Sequence, residues 1–376
     1  MKIGIDCRLW NETGVGRYIR NLVTNLSAID KKNEYVLFVL SQDEASIKSI
    51  VKGQMSIVRT NVSWHGIAEQ VSLPKILNGE NLDLVHFPYF SVPIFYYKPF
   101  IVTIHDLIVN RHNTGRASTL PYPIYFVKRL GYHAVLSNVV YRSKKIIVPS
   151  NAVRDDLIKT YININPSKIE VTYEGGFASG ASAKGRSAFG GNSQKQIEGR
   201  YLLRVGNFYP HKNVEGLLLA FKDFLYENND IKLVLVGKRD YFFKRILKQI
   251  ENLNIEPNVL LLENVSDSDL VSLYSNATAT VVPSFSEGFS LTAVEAMECG
   301  SPVIVSDIPV HREICGNSAI YCNPNDINDI KQKINFACSL VESSRRELID
   351  QGKKQSKKFS WKQMASQTLS VYDSLG

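Results

Sequence analysis

Two glutamates separated by seven residues flank the start of a predicted helix that follows an apolar strand. Glu287 precedes this helix and Glu295 lies near its second turn, and Gly300-Ser301-Pro302 ends the helix. Gly288 lets a ligand approach the backbone closely, and the next amides point out of the helix N-terminus. These amides belong to Phe289, Ser290 and Leu291. Carboxylates accept hydrogen bonds from sugar hydroxyls, while the helix terminus favours negative charge. The arrangement therefore indicates a ligand with both hydroxyls and phosphates.

A lysine stands at a second junction between a predicted strand and a helix. The segment Arg204–Asn213 leaves a strand, and Lys212 lies where the next helix begins. A lysine placed there can contact a phosphate from the same side as the helix dipole. We therefore expect Lys212 to bind a phosphate group.

The N-terminal half offers two further candidates, each after a predicted strand. Gly14 and Gly16 follow the first strand, so their amides can line a cleft, but Ile19 stands where a dinucleotide fingerprint requires glycine. A dehydrogenase is therefore disfavoured. His105 ends another strand in a polar sequence, whereas we expect His86, which also ends a strand, to serve packing.

Metal binding and disulfide bonding are not indicated by the sequence. Asp267-Ser268-Asp269 has the Asp-x-Asp form of a metal motif, but it follows Ser266 at a helix start, where acidic side chains favour the helix dipole. The five cysteines contain no Cys-x-x-Cys pair. We expect buried thiols and no metal requirement.

Short apolar strands alternate with helical patterns along the whole chain, which predicts an α/β protein with parallel sheets covered on both faces. The predicted strands are Lys2–Asp6, Tyr35–Leu40, Leu82–His86, Phe100–Ile104, Lys145–Pro149, Ile169–Thr172, Tyr201–Gly206, Lys232–Gly237, Val259–Leu262, Ala279–Val282 and Pro302–Ser306. Doubly wound sheets bind ligands at the carboxyl ends of their strands. We therefore expect the functional residues to collect there, in a cleft between two domains.

A glycine-rich segment interrupts this alternation. Residues 175–200 contain seven glycines with Ser, Ala and Lys and no periodicity, which predicts a flexible linker. We divide the chain into an N-terminal Rossmann-like domain, a linker, a C-terminal Rossmann-like domain and a C-terminal helix that packs back across the domains. The predicted bounds are 1–175, 176–200, 201–355 and 356–376.

The net charge of +8 is concentrated in one segment. Between Asp106 and Asp155 the sequence has eight cations and no acidic residue, so the other 36 Lys and Arg balance the 36 Asp and Glu. The cations are Arg111, Arg116, Lys128, Arg129, Arg142, Lys144, Lys145 and Arg154. Aromatic residues lie between them, which suits an anionic membrane surface or a lipid diphosphate better than nucleic acid. A solvated basic face is the alternative.

The hydropathy pattern excludes an integral membrane protein, because no window approaches the ~20 consecutive apolar residues of a spanning helix. The sequence begins with an apolar strand pattern and has neither the apolar core nor the cleavage site of a signal peptide. We expect a cytoplasmic protein, held peripherally at the inner face of the cell membrane by the basic segment.

The Glu-x7-Glu motif of Glu287 and Glu295, in this setting, resembles that of the retaining glycosyltransferases of family four. The resemblance spans essentially the whole chain and implies the GT-B fold of two facing Rossmann-like domains. It also implies that the N-terminal domain binds the acceptor and that the C-terminal domain binds the donor. It implies that Glu287 contacts the donor sugar and that Glu295 holds the nucleotide ribose. The intervening backbone, from Gly288 to Leu291, would bind the sugar and the diphosphate.

The same resemblance assigns roles to the other candidates. Lys212 would bind the diphosphate, His105 would hydrogen-bond the donor sugar, and the loop of Gly14 and Gly16 would face the diphosphate and the acceptor. Lys238 and Val265 would lie near the nucleotide base. The family often has an arginine near this lysine, but here Asn207, which we include in the donor site, and His211 stand instead. The second diphosphate-binding cation is therefore unassigned.

The resemblance implies transfer of a hexose from a nucleotide sugar, without a metal or other cofactor, the departing diphosphate taking the acceptor proton. The start Ile5-Asp6-Cys7-Arg8, with Gly14–Tyr18, resembles bacterial mannosyltransferases that build surface polysaccharides such as lipopolysaccharide. We therefore expect GDP-mannose as donor and a saccharide linked to a lipid diphosphate as acceptor. The alternatives are a sugar-nucleotide epimerase of the same fold and a non-catalytic partner subunit.

Overall fold

The computed structural model describes residues 1–51, 53–108, 122–177 and 197–376, which form two α/β units. The first unit contains the described residues of 1–108 and 122–174, together with 360–376. The second contains residues 175–177 and 197–359. Two cations of the basic segment, Arg111 and Arg116, and residues 178–196 of the predicted linker lie outside the described residues.

Each unit is built on one sheet whose paired strands are all parallel. The first sheet has seven strands in the order β3-β2-β1-β4-β5-β6-β7, and the second has six in the order β10-β9-β8-β11-β12-β13. The strands are β1 Lys2–Asp6, β2 Glu34–Leu40, β3 Met55–Thr60, β4 Leu84–Phe87, β5 Phe100–Thr103, β6 Ile146–Val148, β7 Ile169–Val171, β8 Arg200–Val205, β9 Ile231–Val236, β10 Val259–Leu262, β11 Ala279–Val282, β12 Val303–Ser306 and β13 Ile320–Cys322.

Helices connect the strands, as parallel pairing requires. They are α1 Gly14–Ile29, α2 Glu44–Lys48, α3 Ile67–Gly79, α4 Tyr122–Arg142, α5 Asn151–Thr160, α6 Val214–Leu225, α7 Tyr241–Leu253, α8 Asp267–Asn276, α9 Leu291–Cys299, α10 Pro309–Cys315, α11 Ile327–Cys338, α12 Glu342–Ser356 and α13 Trp361–Asp373. The last helix, α13, packs against α1 and so belongs to the first unit.

Local sequence signals explain where several helices begin. The Ser150 side chain accepts a hydrogen bond from the Val153 amide at the start of α5, and Ser266 accepts one from the Asp269 amide at the start of α8. Each satisfies one of the amides that a helix N-terminus leaves without an internal partner. The second contact confirms that Asp267-Ser268-Asp269 begins a helix. Ser360 precedes α13, but its side chain makes no capping bond.

The parallel sheets confirm the predicted α/β class and all eleven predicted strands, with ends shifted by no more than two residues. Two strands were missed. In β3, polar Ser56 and Arg59 interrupt the apolar pattern of a half-buried edge strand, and β13 has only three residues. Such short or mixed segments give too little periodicity to separate a strand from a loop.

All five cysteines are free thiols. Cys7, Cys315 and Cys322 are buried as predicted, whereas Cys299 and Cys338 are only partly buried. The described residues contain no grouping of three or more His, Cys, Asp or Glu side chains that could hold a metal ion. Within the same residues, no helix has both the length and the apolar character needed to cross a membrane.

Candidate functional site

The predicted donor-binding residues of the second unit follow four strands that are neighbours in its sheet. Because these strands are parallel, their carboxyl ends lie along one edge. Val265 follows β10, Lys238 follows β9, Asn207 and Lys212 follow β8, and the segment from Glu287 to Leu291 follows β11. The strand order β10-β9-β8-β11 therefore places the candidates in one row. Lys238 is exposed, and Asn207 and Val265 are partly buried.

The centre of this row is an ion pair between Lys212 and Glu287. The Lys212 Nζ lies 2.7 Å from the Glu287 Oε2, and the Ser284 hydroxyl donates to the Oε1 at 2.7 Å. Burial by itself would raise the pKa of Glu287, but the Lys212 ammonium, with a smaller contribution from the Ser284 hydroxyl, lowers it to about 2. Glu287 is therefore a carboxylate that can only accept hydrogen bonds.

Backbone contacts hold the two charged side chains in register. Lys212 ends a short 3-10 turn, and the adjacent His211 carbonyl accepts a hydrogen bond from the Phe285 amide at 2.8 Å. The Asn213 side chain, in a left-handed residue that precedes α6, donates to the Pro283 carbonyl at 3.1 Å. The loop after β8 and the loop after β11 are thus fastened together beside the ion pair.

Helix α9 begins directly beyond Glu287. Its preceding residue, Ser290, has a φ of 76° and makes no side-chain cap. The amides of Leu291 and Thr292 belong to the first turn, where a helix provides no internal acceptor. Glu295 is buried one turn further along and accepts a hydrogen bond from the Tyr274 hydroxyl at 3.1 Å. Phe289 packs edge-on against Phe359, with ring centroids 5.4 Å apart.

Sequence reasoning did not identify His311, which supports this loop from α10. Its Nδ1 lies 2.8 Å from the Ser306 carbonyl oxygen and its Nε2 lies 3.1 Å from the Ser290 hydroxyl. The carbonyl can only accept, so Nδ1 carries a proton. Burial lowers the pKa of His311, so the ring is neutral and Nε2 accepts from Ser290. The only sequence signal was a histidine at a helix start after a strand.

An open cavity of 710 Å³ borders the site on the side of β12 and β13. It is lined by Phe285, Asp307, Ile308, Asn323, Pro324 and Asn325. None of these is a predicted site residue. Phe285 lies two residues before Glu287, so the loop after β11 contributes residues to both the cavity and the ion pair.

In the first unit, Gly14 and Gly16 have different surroundings. Gly14 is the first residue of α1, and a Cβ built there would meet no atom of the described residues within 4 Å. A Cβ at Gly16 would lie 2.5 Å from the Trp10 carbonyl oxygen. Packing therefore requires glycine at position 16, whereas the backbone at position 14 is open on its Cβ side.

His105, after β5, is held at both ring nitrogens. Nδ1 lies 3.0 Å from the Glu174 carboxylate, and Nε2 lies 3.0 Å from the Pro88 carbonyl oxygen. Both partners only accept, so both nitrogens donate and the ring is an imidazolium. Burial alone would lower the pKa of His105, but Glu174 and, less strongly, the Pro88 carbonyl raise it. A hydrogen bond from this ring to a sugar would require exchange of one of these contacts.

A buried hydrogen-bonded chain lies beside His105. The Tyr18 hydroxyl is 3.1 Å from the Thr103 hydroxyl, which is 2.8 Å from the His86 Nε2. The His86 Nδ1 is 2.7 Å from the Tyr372 hydroxyl in α13. Burial lowers the pKa of His86 to about 3, so this ring is neutral. The Tyr18 ring contacts His105 edge-on, with centroids 4.9 Å apart. His86 thus has a packing role.

Two family models match the chain. Residues 13–175 match "Glycosyltransferase Family 4", and residues 191–355 match "Glycosyl transferases group 1". The O-antigen chain mannosyltransferase RfbU of Salmonella typhimurium is 30% identical over 263 residues, which cover 70% of this chain and 67% of that protein. The O-antigen chain mannosyltransferase B of Escherichia coli is 36% identical over 174 residues, which cover 46% of this chain and 45% of that protein.

Solved structures are similar along the whole chain. The Anabaena protein Alr3699/HepE, in complex with UDP and glucose, has a TM-score of 0.74 at 15% identity and covers 100% of both chains. Sucrose-phosphate synthase from Thermosynechococcus elongatus has a TM-score of 0.77 at 19% identity and covers 100% of this chain and 99% of that one. At such low identity these similarities show the fold alone.

Proposed function

This chain belongs to the group 1 and family 4 glycosyltransferases, with the GT-B fold and a nucleotide sugar as donor, and from this premise we propose its particular reaction. The protein transfers mannose from GDP-mannose to a saccharide acceptor of cell-surface polysaccharide synthesis, with retention of configuration at the sugar. The observation that carries the donor chemistry is the Lys212–Glu287 pair before the N-terminus of α9. The O-antigen mannosyltransferases among its relatives support the choice of sugar.

The two members of the ion pair match two parts of a nucleotide sugar, the sugar and the diphosphate. Glu287 accepts hydrogen bonds from sugar hydroxyls, and Lys212 with the first amides of α9 binds the diphosphate. During transfer, the bond from the anomeric carbon to the diphosphate oxygen breaks as the bond to the acceptor oxygen forms, and the acceptor proton passes to the diphosphate. Lys212 and the amides stabilise the negative charge that develops on the leaving group.

The acceptor is a saccharide linked to a lipid diphosphate at the inner face of the membrane. The basic segment supports this assignment, because its described part carries exposed apolar side chains together with cations. Phe126, Leu130 and Tyr141 are exposed on α4, and Lys128 and Lys144 are exposed in the same segment. Aromatic and aliphatic side chains among cations suit the headgroup region of an anionic bilayer.

Incubation of the purified protein with GDP-, UDP-, ADP- and dTDP-sugars, with and without a lipid-linked saccharide extract, tests this proposal. We expect nucleoside diphosphate release with GDP-mannose only, dependent on acceptor, and an α-mannoside product by mass and NMR. Release from a different donor would refute the choice of sugar. An epimerised nucleotide sugar formed without acceptor would indicate an epimerase, and saturable binding without turnover would indicate a non-catalytic partner.

A further inference from the structure

Arg204 is a buried arginine whose Nε has no hydrogen-bond acceptor in the part of the chain that the structure describes. It lies in β8, two residues before Gly206, and only 1% of its surface is exposed. Among the described residues, its guanidinium forms no ion pair. Burial of an unpaired cation is unfavourable, so this side chain calls for an explanation other than stability.

Arg8 shows how a buried arginine with a structural role obtains its hydrogen-bond partners in this chain. Arg8 is 2% exposed, and its guanidinium donates to the Asp6 and Glu69 carboxylates and to the Val62 carbonyl. The two arginines are almost equally buried, but among the described residues Arg8 forms ion pairs and Arg204 forms none. The lack of an ion pair at Arg204 is therefore not a general property of buried arginines in this chain.

The guanidinium of Arg204 lies next to Gly206 and is close enough to Glu287 for their charges to interact. An Nη atom of Arg204 is 3.2 Å from the position that a Cβ on Gly206 would take. Gly206 has a φ of 121°, which favours glycine, and it directly follows β8, where the Lys212 loop begins. A glycine there leaves no side chain between the guanidinium and a ligand above the strand end.

The carboxylates nearby are already engaged. The Glu287 charge acts on Arg204, but the Glu287 oxygens bond Lys212 and Ser284. Glu295 is bonded by the Tyr274 hydroxyl. The Glu287 carboxylate is thus paired with Lys212, and the charge of Arg204 is left for a further anion.

We propose that Arg204 is the second cation of the donor site and binds the diphosphate beside Gly206, together with Lys212 and the first amides of α9. This inference rests on the proposed nucleotide-sugar chemistry. Asn207 and His211 stand where the family often has an arginine. Arg204 would supply the missing cation from within β8. A guanidinium presents several N–H groups in a fixed plane, which suits the oxygens of a diphosphate.

Calorimetric titration of pyrophosphate, GDP and guanosine into the wild-type protein and the Arg204→Met variant tests the proposal. We expect the variant to bind pyrophosphate and GDP at least about tenfold more weakly, the scale of one lost charge-assisted contact, with guanosine affinity unchanged. Without ligand, its unfolding temperature should equal or exceed that of the wild type, because an unpaired buried charge has been removed. Arg245→Met, which removes a partly exposed ion pair between α7 and Glu215 of α6, is the matched control.

A structural role for Arg204 would give the opposite pattern, with lower stability and wild-type affinity for pyrophosphate and GDP, and would overturn the proposal. If the methionine variant does not fold, Arg204→Gln decides by the same affinity criterion. Pyrophosphate carries no base or sugar, so its binding tests Arg204 even if the donor is not GDP-mannose. Failure of the wild type to bind pyrophosphate and every nucleoside diphosphate would refute both this inference and the proposed function.

Discussion

The Glu287 carboxylate accepts hydrogen bonds from two donors, and its side chain is almost fully buried. Lys212 and Ser284 occupy one oxygen each, so the carboxylate is fixed in position and charge before any ligand arrives. Each carboxylate oxygen has a further lone pair for a sugar hydroxyl. The pair therefore needs little rearrangement on binding, which is the property that makes electrostatic stabilisation effective in catalysis.

Loss of either member of the pair should reduce turnover strongly. We expect Lys212→Ala or Glu287→Ala to lower kcat by about 10²–10³, the scale for removal of one preorganised electrostatic contact. Steady-state release of nucleoside diphosphate measures the effect. Lys244→Ala, at an exposed position of α7, should be neutral. Folded variants with near-normal turnover would show that the pair does not perform these roles.

The imidazolium of His105 should produce a pH-dependent stability. Because Glu174 raises the pKa of His105 in the folded protein, the stabilisation is complete below the unfolded pKa of about 6.5 and is lost as pH rises through the folded pKa. In urea unfolding between pH 6 and 9, the free energy of unfolding should fall more for the wild type than for Glu174→Gln. His86 and His311 act in the opposite direction but equally in both proteins. Parallel pH curves would contradict the assignment.

At the scale of elements, the first turn of α1 contains two glycines in different surroundings. Gly16 is closely packed, whereas Gly14 is open on its Cβ side. Gly16→Ala should lower the free energy of unfolding by about 1–3 kcal/mol, because the new Cβ would meet the Trp10 carbonyl. Gly14→Ala should change the free energy of unfolding by less than about 1 kcal/mol, because its Cβ side is open. Denaturant unfolding measures both. Equal effects would show that the turn relaxes around the added methyl group.

Donor titration of the folded Gly14→Ala variant then tests whether that backbone faces a ligand. A methyl group at an open position should weaken donor binding only if the ligand approaches there. Wild-type affinity would limit Gly14 to a structural role.

Helix α13 is tied to the first unit by a buried polar contact. Tyr372→Phe would remove the hydroxyl that contacts the His86 Nδ1 and leave that nitrogen without a partner, which we expect to lower the free energy of unfolding by about 1–3 kcal/mol. Urea unfolding of Ser370→Ala, an exposed position of the same helix, provides the control, with a change within about 0.5 kcal/mol. An unchanged midpoint for Tyr372→Phe would mean that His86 finds another partner.

At the scale of the whole molecule, the uneven charge distribution predicts selective membrane binding. Flotation should show more protein on vesicles of phosphatidylglycerol than of phosphatidylcholine, and added salt should reduce binding because screening weakens the attraction. The double variant Phe126→Ser/Leu130→Ser should bind less while keeping its turnover on a soluble acceptor. Phe336→Ser/Val341→Ser, at exposed apolar positions of the second unit, should behave as the wild type. Equal binding to both lipids that does not change with salt would refute the assignment of this surface to membrane binding.

Much of this molecule could be predicted from local patterns. Continuous apolar runs gave eleven strands, a serine before acidic residues gave the start of α8, and strand-to-helix junctions indicated Lys212 and Glu287. These features depend on residues that are neighbours in the chain, so the sequence determines them without knowledge of the fold. The expectation that site residues follow strands has the same origin, because parallel strands place their carboxyl ends together.

The tertiary structure alone decided which distant groups meet. It paired His105 with Glu174, placed His311 against Ser290, and buried Arg204 beside Gly206, where its Nε has no acceptor among the residues described. These contacts depend on the order of strands in each sheet and on the depth of burial, which arise from packing between segments far apart in the chain. Burial also sets whether each histidine is charged, because the same side chain gains or loses its proton according to its partners and its contact with water.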